Sequence, residues 1–210
     1  MKLVIIGGTG KTGKELIKQG LDAGHSITAM VRNPKKLKIT HPLLEVVKGN
    51  VLNEEDLTHT FKGKDAVLSA LGHKRFFIKT SILSSGTANM LQAMQITSID
   101  RFICITSMGI NENKYKLGLY YTLFVIPVIL FFYFKDKSKQ EELITKSNLN
   151  WTIVRPGQLT NGKLRNRYKR GSSLGSYFFT KMISRASVAN FMLQQLKSTS
   201  YSRKAVCVTN

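Results

Sequence analysis

The stretch VIIGGTGKTGKE, residues 4–15, offers two phosphate-binding readings of the same glycines. In a P-loop, G-x-x-x-x-G-K-[ST], backbone N–H groups hold phosphates, the lysine reaches the terminal ones and the hydroxyl binds magnesium. With Gly10, Lys11 and Thr12 in the last three places, the first glycine falls on Ile5. With Gly8, Gly13 and Lys14, the metal-binding hydroxyl falls on Glu15. Both registers fail. What remains is G-x-x-G-x-x-G at Gly7, Gly10 and Gly13, after an apolar strand and opening a helix, which is the dinucleotide arrangement.

Its mechanics are physical. KLVIIG reads as a short buried parallel strand, and TGKELIKQGLDAG clusters Leu16, Ile17 and Leu21 on one helical face with Gly24 as a stop. Gly7 permits the tight turn, Gly10 lets the backbone approach a pyrophosphate, and Gly13 lets the helix pack on the strand. The helix N-terminus then offers free N–H groups and a positive dipole end to the anion.

Outward from this unit, HSITAMVR (25–32), LLEVVKG (43–49), DAVLSALG (65–72), RFICITSMG (101–109), NWTIVRPG (150–157) and KAVCVTN (204–210) read as strands. NEEDLTHTF (53–61), ILSSGTANMLQAMQI (82–96), DKSKQEELITKSN (136–148) and SVANFMLQQL (187–196) read as helices, the first opened by an Asn cap and acids. Strands alternating with helices predict an α/β, Rossmann-like, doubly wound parallel sheet of about seven strands. A chain of 210 residues suits one domain, 1–210, with a lid-like insertion near 115–135 and a small substrate-side portion, 158–210.

Lys plus Arg number 32 against 12 Asp plus Glu, a formal charge of +20, which attracts polyanions without specificity. The one dense basic run, KLRNRYKR (163–170), carries a single tyrosine, so specific nucleic-acid binding is not expected. Cys104 and Cys207 lie in strand-like runs, which argues against a disulfide framework and for a cytoplasmic protein. The four histidines lack ligand spacing, so no metal site is expected.

LGLYYTLFVIPVILFFYF, residues 117–134, is uncharged over about the length that licenses a membrane span, with lysines beyond both ends. It lies between two strands of one sheet, and Pro127 interrupts it, so spanning is not expected. A lid or substrate wall over the strand ends is the reading preferred here, with a membrane-surface contact or a homo-oligomer face as alternatives.

About twenty residues beyond the glycines, an acid binds the ribose of NAD whereas an arginine accommodates a 2′-phosphate. VRNPKK puts Arg32 at that place, with Lys35 and Lys36 following. Arginine pairs with phosphate in a bidentate, charge-assisted way, so NADP(H) is the expected cofactor.

The pieces IIGGTGKTG, VRNPKK, GNVLNEEDL, KDAVLSALG, RFICITSMG, DKSKQEELITKSNLNWTIVRPGQLTNG and ISRASVANFML together resemble the atypical short-chain dehydrogenases of NmrA-like or biliverdin/flavin-reductase-like fold. The resemblance implies a pyrophosphate loop at Gly7, Thr9, Gly10, Lys11 and Thr12, with Arg32 and Lys36 at the 2′-phosphate. It implies Asn50 and Val51 at the adenine edge, and Ala70, Leu71 and Gly72 under the ribose, with His73 and Arg75 beyond. Thr106 and Ser107 would stand beside the nicotinamide, and Pro156, Gly157 and Gln158 would close it from the other side.

Typical short-chain dehydrogenases use Tyr-x-x-x-Lys, the tyrosine acting as general acid. If Lys139 is that lysine, Lys135 occupies the tyrosine position and Tyr133 falls two residues out of register. The biliverdin/flavin reductases carry a histidine where this chain has Gln158. A hydride transfer that needs no protein acid survives these losses, because a flavin or quinone takes its proton from water. The resemblance therefore implies an NADPH-dependent reductase of a flat redox acceptor, with Ser107, Gln158 and Lys139 as candidate catalytic groups. The aromatics Tyr120, Tyr121, Phe124, Phe131 and Phe132 would cover that acceptor or be plain core. The rival is a non-catalytic NADP(H) sensor of the NmrA type, since fold does not settle function.

Overall fold

In the computed structural model, which describes residues 1–73, 76–165, 167–172 and 174–210, the predicted strands form where apolar, β-branched runs place them. They are β1 (Lys2–Ile6), β2 (Ser26–Val31), β3 (Leu44–Lys48), β4 (Ala66–Ser69), β5 (Arg101–Ile105) and β6 (Asn150–Pro156). Three strands of three residues follow, β7 (Gln158–Thr160), β8 (Lys169–Gly171) and β9 (Met182–Ser184), and then β10 (Lys204–Thr209). The α-helices are α1 (Lys11–Asp22), α2 (Glu54–Phe61), α3 (Ile82–Ile96), α4 (Phe131–Lys146) and α5 (Arg185–Gln194).

The main sheet has eight strands in the order β3-β2-β1-β4-β5-β6-β10-β8, parallel except for β8, which runs antiparallel to β10. The eighth strand was not predicted: it closes the basic run, where Lys169 and Arg170 form an edge too charged to recruit another strand. β7 and β9 make a separate small parallel ladder beside the carboxyl end of β6.

Alternate residues of β1 serve both faces of the sheet. Leu3 and Ile5 join Leu16, Ile17 and Phe191 in the layer of α1 and α5, while Val4 and Ile6 join Phe61, Met90 and Phe102 in the layer of α2, α3 and α4. Both layers are buried, which is why β1 reads as one continuous apolar run. From β1 the sheet grows outward through β2 and β3, then the chain returns to lay β4 on the other side of β1. The crevice at this reversal, beyond the carboxyl ends of β1 and β4, is where open α/β sheets bind ligands.

α4 begins at Phe131, five residues ahead of its predicted start, and its Asp136 caps α3. α3 has no side-chain cap of its own. Instead, Asp136 accepts from Leu83 N at 2.9 Å, Ser84 N at 3.1 Å and Ser84 Oγ at 2.5 Å, placing a carboxylate at the positive end of the helix dipole.

The uncharged segment ahead of α4 forms a π-helix, Tyr121–Ile129, with Pro127 inside it. Tyr121, Ile126 and Leu130 pack inward against Met108, Ile110, Leu117 and Phe134. Tyr120, Leu123, Phe124 and Val128 face outward and are exposed. Among the described residues, no helix is long and apolar enough to cross a membrane.

Candidate functional site

The glycine turn is shaped by contacts that only glycine allows. Gly7 sits at φ +81°, and a Cβ there would lie 2.5 Å from Ala70 O, so the turn presses against the end of β4. A Cβ on Gly13 would lie 2.2 Å from Gly7 O, and Gly10 N donates to that same oxygen at 2.9 Å. α1 then starts from Gly10 with no side-chain cap and no acid in its first turn. The amides that open the helix are left for an anion. Beside them Thr9 is half-buried, Lys11 exposed and Thr12 buried.

Past β2, Arg32 is exposed and lines a cleft of about 400 Å³ with Lys48, Gly49, Asn50 and Asp56. Asn33 Oδ1 accepts from Lys35 N at 3.1 Å and turns the chain so that Lys35 and Lys36 follow on the surface. The Asn50 backbone donates to Asp56 Oδ2 at 2.8 Å, and Asn50 Oδ1 accepts from Leu52 N at 3.2 Å, which fixes that wall. Val51 is turned into the core against Gly86, and its carbonyl accepts from Asn89 Nδ2 at 3.1 Å.

At the other end of the crevice, Ala70 continues the β1–β4 ladder through its bond to Ile6 O at 2.9 Å, and Leu71 and Gly72 follow. The His73 ring meets the Tyr133 ring edge-on at 4.9 Å, and His73 Nε2 bonds Thr80 Oγ1 at 3.1 Å. Arg75 lies outside the described residues. Ser107 is half-buried, its hydroxyl donating to Met108 O at 2.9 Å. Pro156 and Gly157 are buried, and Pro156 O accepts from Met108 N at 3.0 Å, so the two loops are tied together.

Three predicted residues are not presented as expected. Thr106 is 5% exposed and its hydroxyl is committed to Glu141 Oε1 at 2.5 Å, inside the protein. Gln158 projects into solvent while its backbone serves the small ladder, donating to Lys181 O at 2.9 Å. Lys139 is exposed on the outer face of α4, away from the crevice side.

The lysine on the inner face is Lys137. It is 3% exposed, and its Nζ stands 5.3 Å from the centre of the Tyr133 ring. The Tyr133 hydroxyl lies just past the carboxyl end of β4, 3.5 Å from where a Cβ on Gly72 would stand. Tyr133-Phe-Lys-Asp-Lys137 is itself a Tyr-x-x-x-Lys spacing, which anchoring on Lys139 passes over. Because α4 begins at Phe131, positions 133 and 137 fall one turn apart on one face.

A buried ionic network stands behind Ser107. Arg155, 3% exposed, donates through Nε to Glu141 Oε1 at 2.9 Å and pairs through its guanidinium with Glu112. Asn111 Nδ2 donates to Glu141 Oε2 at 2.7 Å, and Ser138 Oγ to Asn111 Oδ1 at 2.6 Å. Burial alone would lower the Arg155 pKa, but its bonds to Glu141 and Glu112 outweigh burial and raise it. Arg155 in turn holds the Glu112 carboxyl below its usual value. The network clamps the loop after β5 to α4 and β6. Burial pushes the Cys104 thiol up to about 12 and Cys207 up to about 11, so neither is a ready nucleophile. Among the described residues no cluster of His, Cys, Asp and Glu gathers as metal ligands would.

These residues fit a dinucleotide: the cradle is one that a Cβ would fill, the first turn of α1 is uncapped, and the far cleft carries Arg32 and Lys48. Comparison with known proteins agrees. A family model described as NAD(P)H-binding matches residues 7–199. An uncharacterized chloroplastic protein of Arabidopsis thaliana is 30% identical over 173 residues, which is 76% of this chain and 60% of that one. The chain therefore spans less than two thirds of that relative's length. A short-chain dehydrogenase/reductase of Veillonella parvula, solved in complex with NADP, superposes with a TM-score of 0.84 at 20% identity, covering 100% of this chain and 94% of that one. The anaerobilin reductase ChuY of Escherichia coli O157:H7 superposes with a TM-score of 0.82 at 15% identity, covering 100% and 97%. At these identities the two structures speak for the fold alone. The chain belongs to the NAD(P)H-binding family, and its sheet and motifs fit the atypical short-chain dehydrogenases within it.

Proposed function

We propose that this NAD(P)H-binding chain is an NADPH-dependent reductase of a flat redox acceptor, of the flavin or quinone type. The observation that carries the reading is the glycine cradle pressed against Ala70, with the uncapped first turn of α1 beside it and Arg32 in the far cleft; Tyr133 and Lys137 stand one turn apart on α4, the tyrosine hydroxyl beside Gly72. NADPH, when bound, supplies the hydride; the chain binds, orients and protonates. The first-turn amides of α1 hold the pyrophosphate, and Arg32 with Lys36 holds the 2′-phosphate. Ser107 offers a hydroxyl to the nicotinamide or to the acceptor. Tyr133 Oη gives a proton to a reduced acceptor oxygen or nitrogen and is reprotonated from solvent, with the Lys137 ammonium held over its ring.

In this reading Tyr133 supplies the proton donor whose absence is the argument for a non-catalytic NADP(H) sensor.

The test is NADPH oxidation by the purified chain with FMN and, separately, a water-soluble quinone, with Ser107→Ala and Tyr133→Phe alongside. Turnover that falls in both variants at unchanged NADPH affinity is the expected result. If NADPH binds and neither acceptor consumes it, the reductase reading fails and the sensor reading takes its place.

A further inference from the structure

We propose that the face formed by the π-helix, the first turn of α4 and the loop at 176–182 docks on an anionic membrane surface. Two segments far apart in sequence build it. Leu119, Tyr120, Leu123, Phe124, Val128 and Phe131 are exposed on the first, and Tyr177, Phe178, Phe179 and Met182 on the second. Two hydrogen bonds tie the second segment to the residues that lead into the first: Ser176 N donates to Lys116 O at 3.0 Å, and Thr180 Oγ1 to Leu117 O at 3.0 Å. Soluble surfaces scatter such residues singly, whereas a contiguous apolar face marks an interaction site.

Charge identifies the occupant. The chain holds no Asp or Glu from 113 to 135, and none at all in the 68 residues from 143 to 210. Both segments thus lie in acid-free stretches, and exposed Lys114, Lys135 and Lys181 adjoin or interrupt them. Apolar side chains rimmed by cations match the interface of a bilayer carrying anionic headgroups. A second copy of this chain is a poorer match, because a two-fold contact sets a patch against itself and would oppose lysine to lysine. Spanning is not required: the π-helix is nine residues long, and the chain comes back to β6 of the same sheet.

The experiment is flotation of the full chain with phosphatidylcholine vesicles, with and without phosphatidylglycerol. Wild type should bind the phosphatidylglycerol vesicles and lose binding on their omission. Val128→Glu with Phe178→Glu should weaken binding at least about tenfold while leaving the melting temperature and NADPH affinity unchanged. Lys114→Glu with Lys181→Glu keeps the apolar residues and should weaken binding too, which preserves the test if the first variant misfolds. Binding by the glutamate variant equal to wild type would reduce the attraction to net charge and overturn the proposal. So would absence of binding, or a wild-type dimer in solution that the same variant splits. NADPH oxidation fails or succeeds independently of these outcomes.

Discussion

Replacing Arg32 with alanine should separate two dinucleotides that differ by one phosphate. Arg32 is exposed just past β2, where NAD-binding folds set an acid, and it lines a cleft of about 400 Å³ whose carboxylate, Asp56, accepts from the Asn50 backbone. A hydrogen bond to a charged group is worth about 1.5–3 kcal/mol, so removing a guanidinium paired with the 2′-phosphate corresponds to roughly ten- to hundredfold. Arg32 is solvated, and Lys35, Lys36 and Lys48 remain nearby, so the loss should fall at the lower end, about ten- to thirtyfold for NADPH. NADH has no phosphate there, and its affinity should change by less than about twofold. Calorimetric titration of both dinucleotides into wild type and Arg32→Ala, at low and high salt, measures this; the NADPH difference should shrink with salt. Equal losses for the two would refute the placement of the 2′-phosphate, and Arg32 would then be an ordinary solvated cation.

Four further outcomes follow from the geometry. Gly13→Ala sets a Cβ 2.2 Å from Gly7 O, and should cost about 1–3 kcal/mol of stability by denaturant titration and abolish NADPH binding. Glu141→Ala strips Arg155 of its buried partner, and breaking a buried pair typically costs about 3–5 kcal/mol; a melting point within a few degrees of wild type would contradict the network described. Glu112 is held below its ordinary 4.5 by Arg155. Its contribution is complete above that value and lost as pH falls through the lower folded one, so Glu112→Gln should flatten the acid limb of a stability-versus-pH curve. Cys104 and Cys207 should resist a thiol reagent in the native chain and react on unfolding, since burial raises both.

Most of the fold was legible because it depends on short-range pattern. The run from Ile82 to Ile96 forms a helix over those same residues, and all seven predicted strands form. The strands missed, β7, β8 and β9, are three residues each, too short for periodicity to show. Their partners lie far along the chain, as where Cys207 pairs with Gly171. The glycine turn was readable for a related reason: backbone that must pass within van der Waals distance of other backbone tolerates only glycine, and the spacing records it.

The reaction end was harder to read, and α4 shows why. DKSKQEELITKSN looks like a solvated charged helix, since charges are rarely buried unless paired. Within it the structure buries Asp136, Lys137, Gln140 and Glu141 and leaves Lys139 and Glu142 exposed. Asp136 and Glu141 have tasks that no local pattern encodes. Asp136 caps a helix 53 positions away in sequence, and Glu141 joins Thr106, Asn111 and Arg155. These two anchors fix the depth and rotation of α4 on the sheet. With that rotation set, Tyr133 and Lys137 lie one turn apart on the inner side of α4, the tyrosine hydroxyl beside Gly72. The pair is therefore placed by its neighbours' long-range bonds, and a single-sequence reading, which anchored the motif on Lys139 without them, lacked the deciding information.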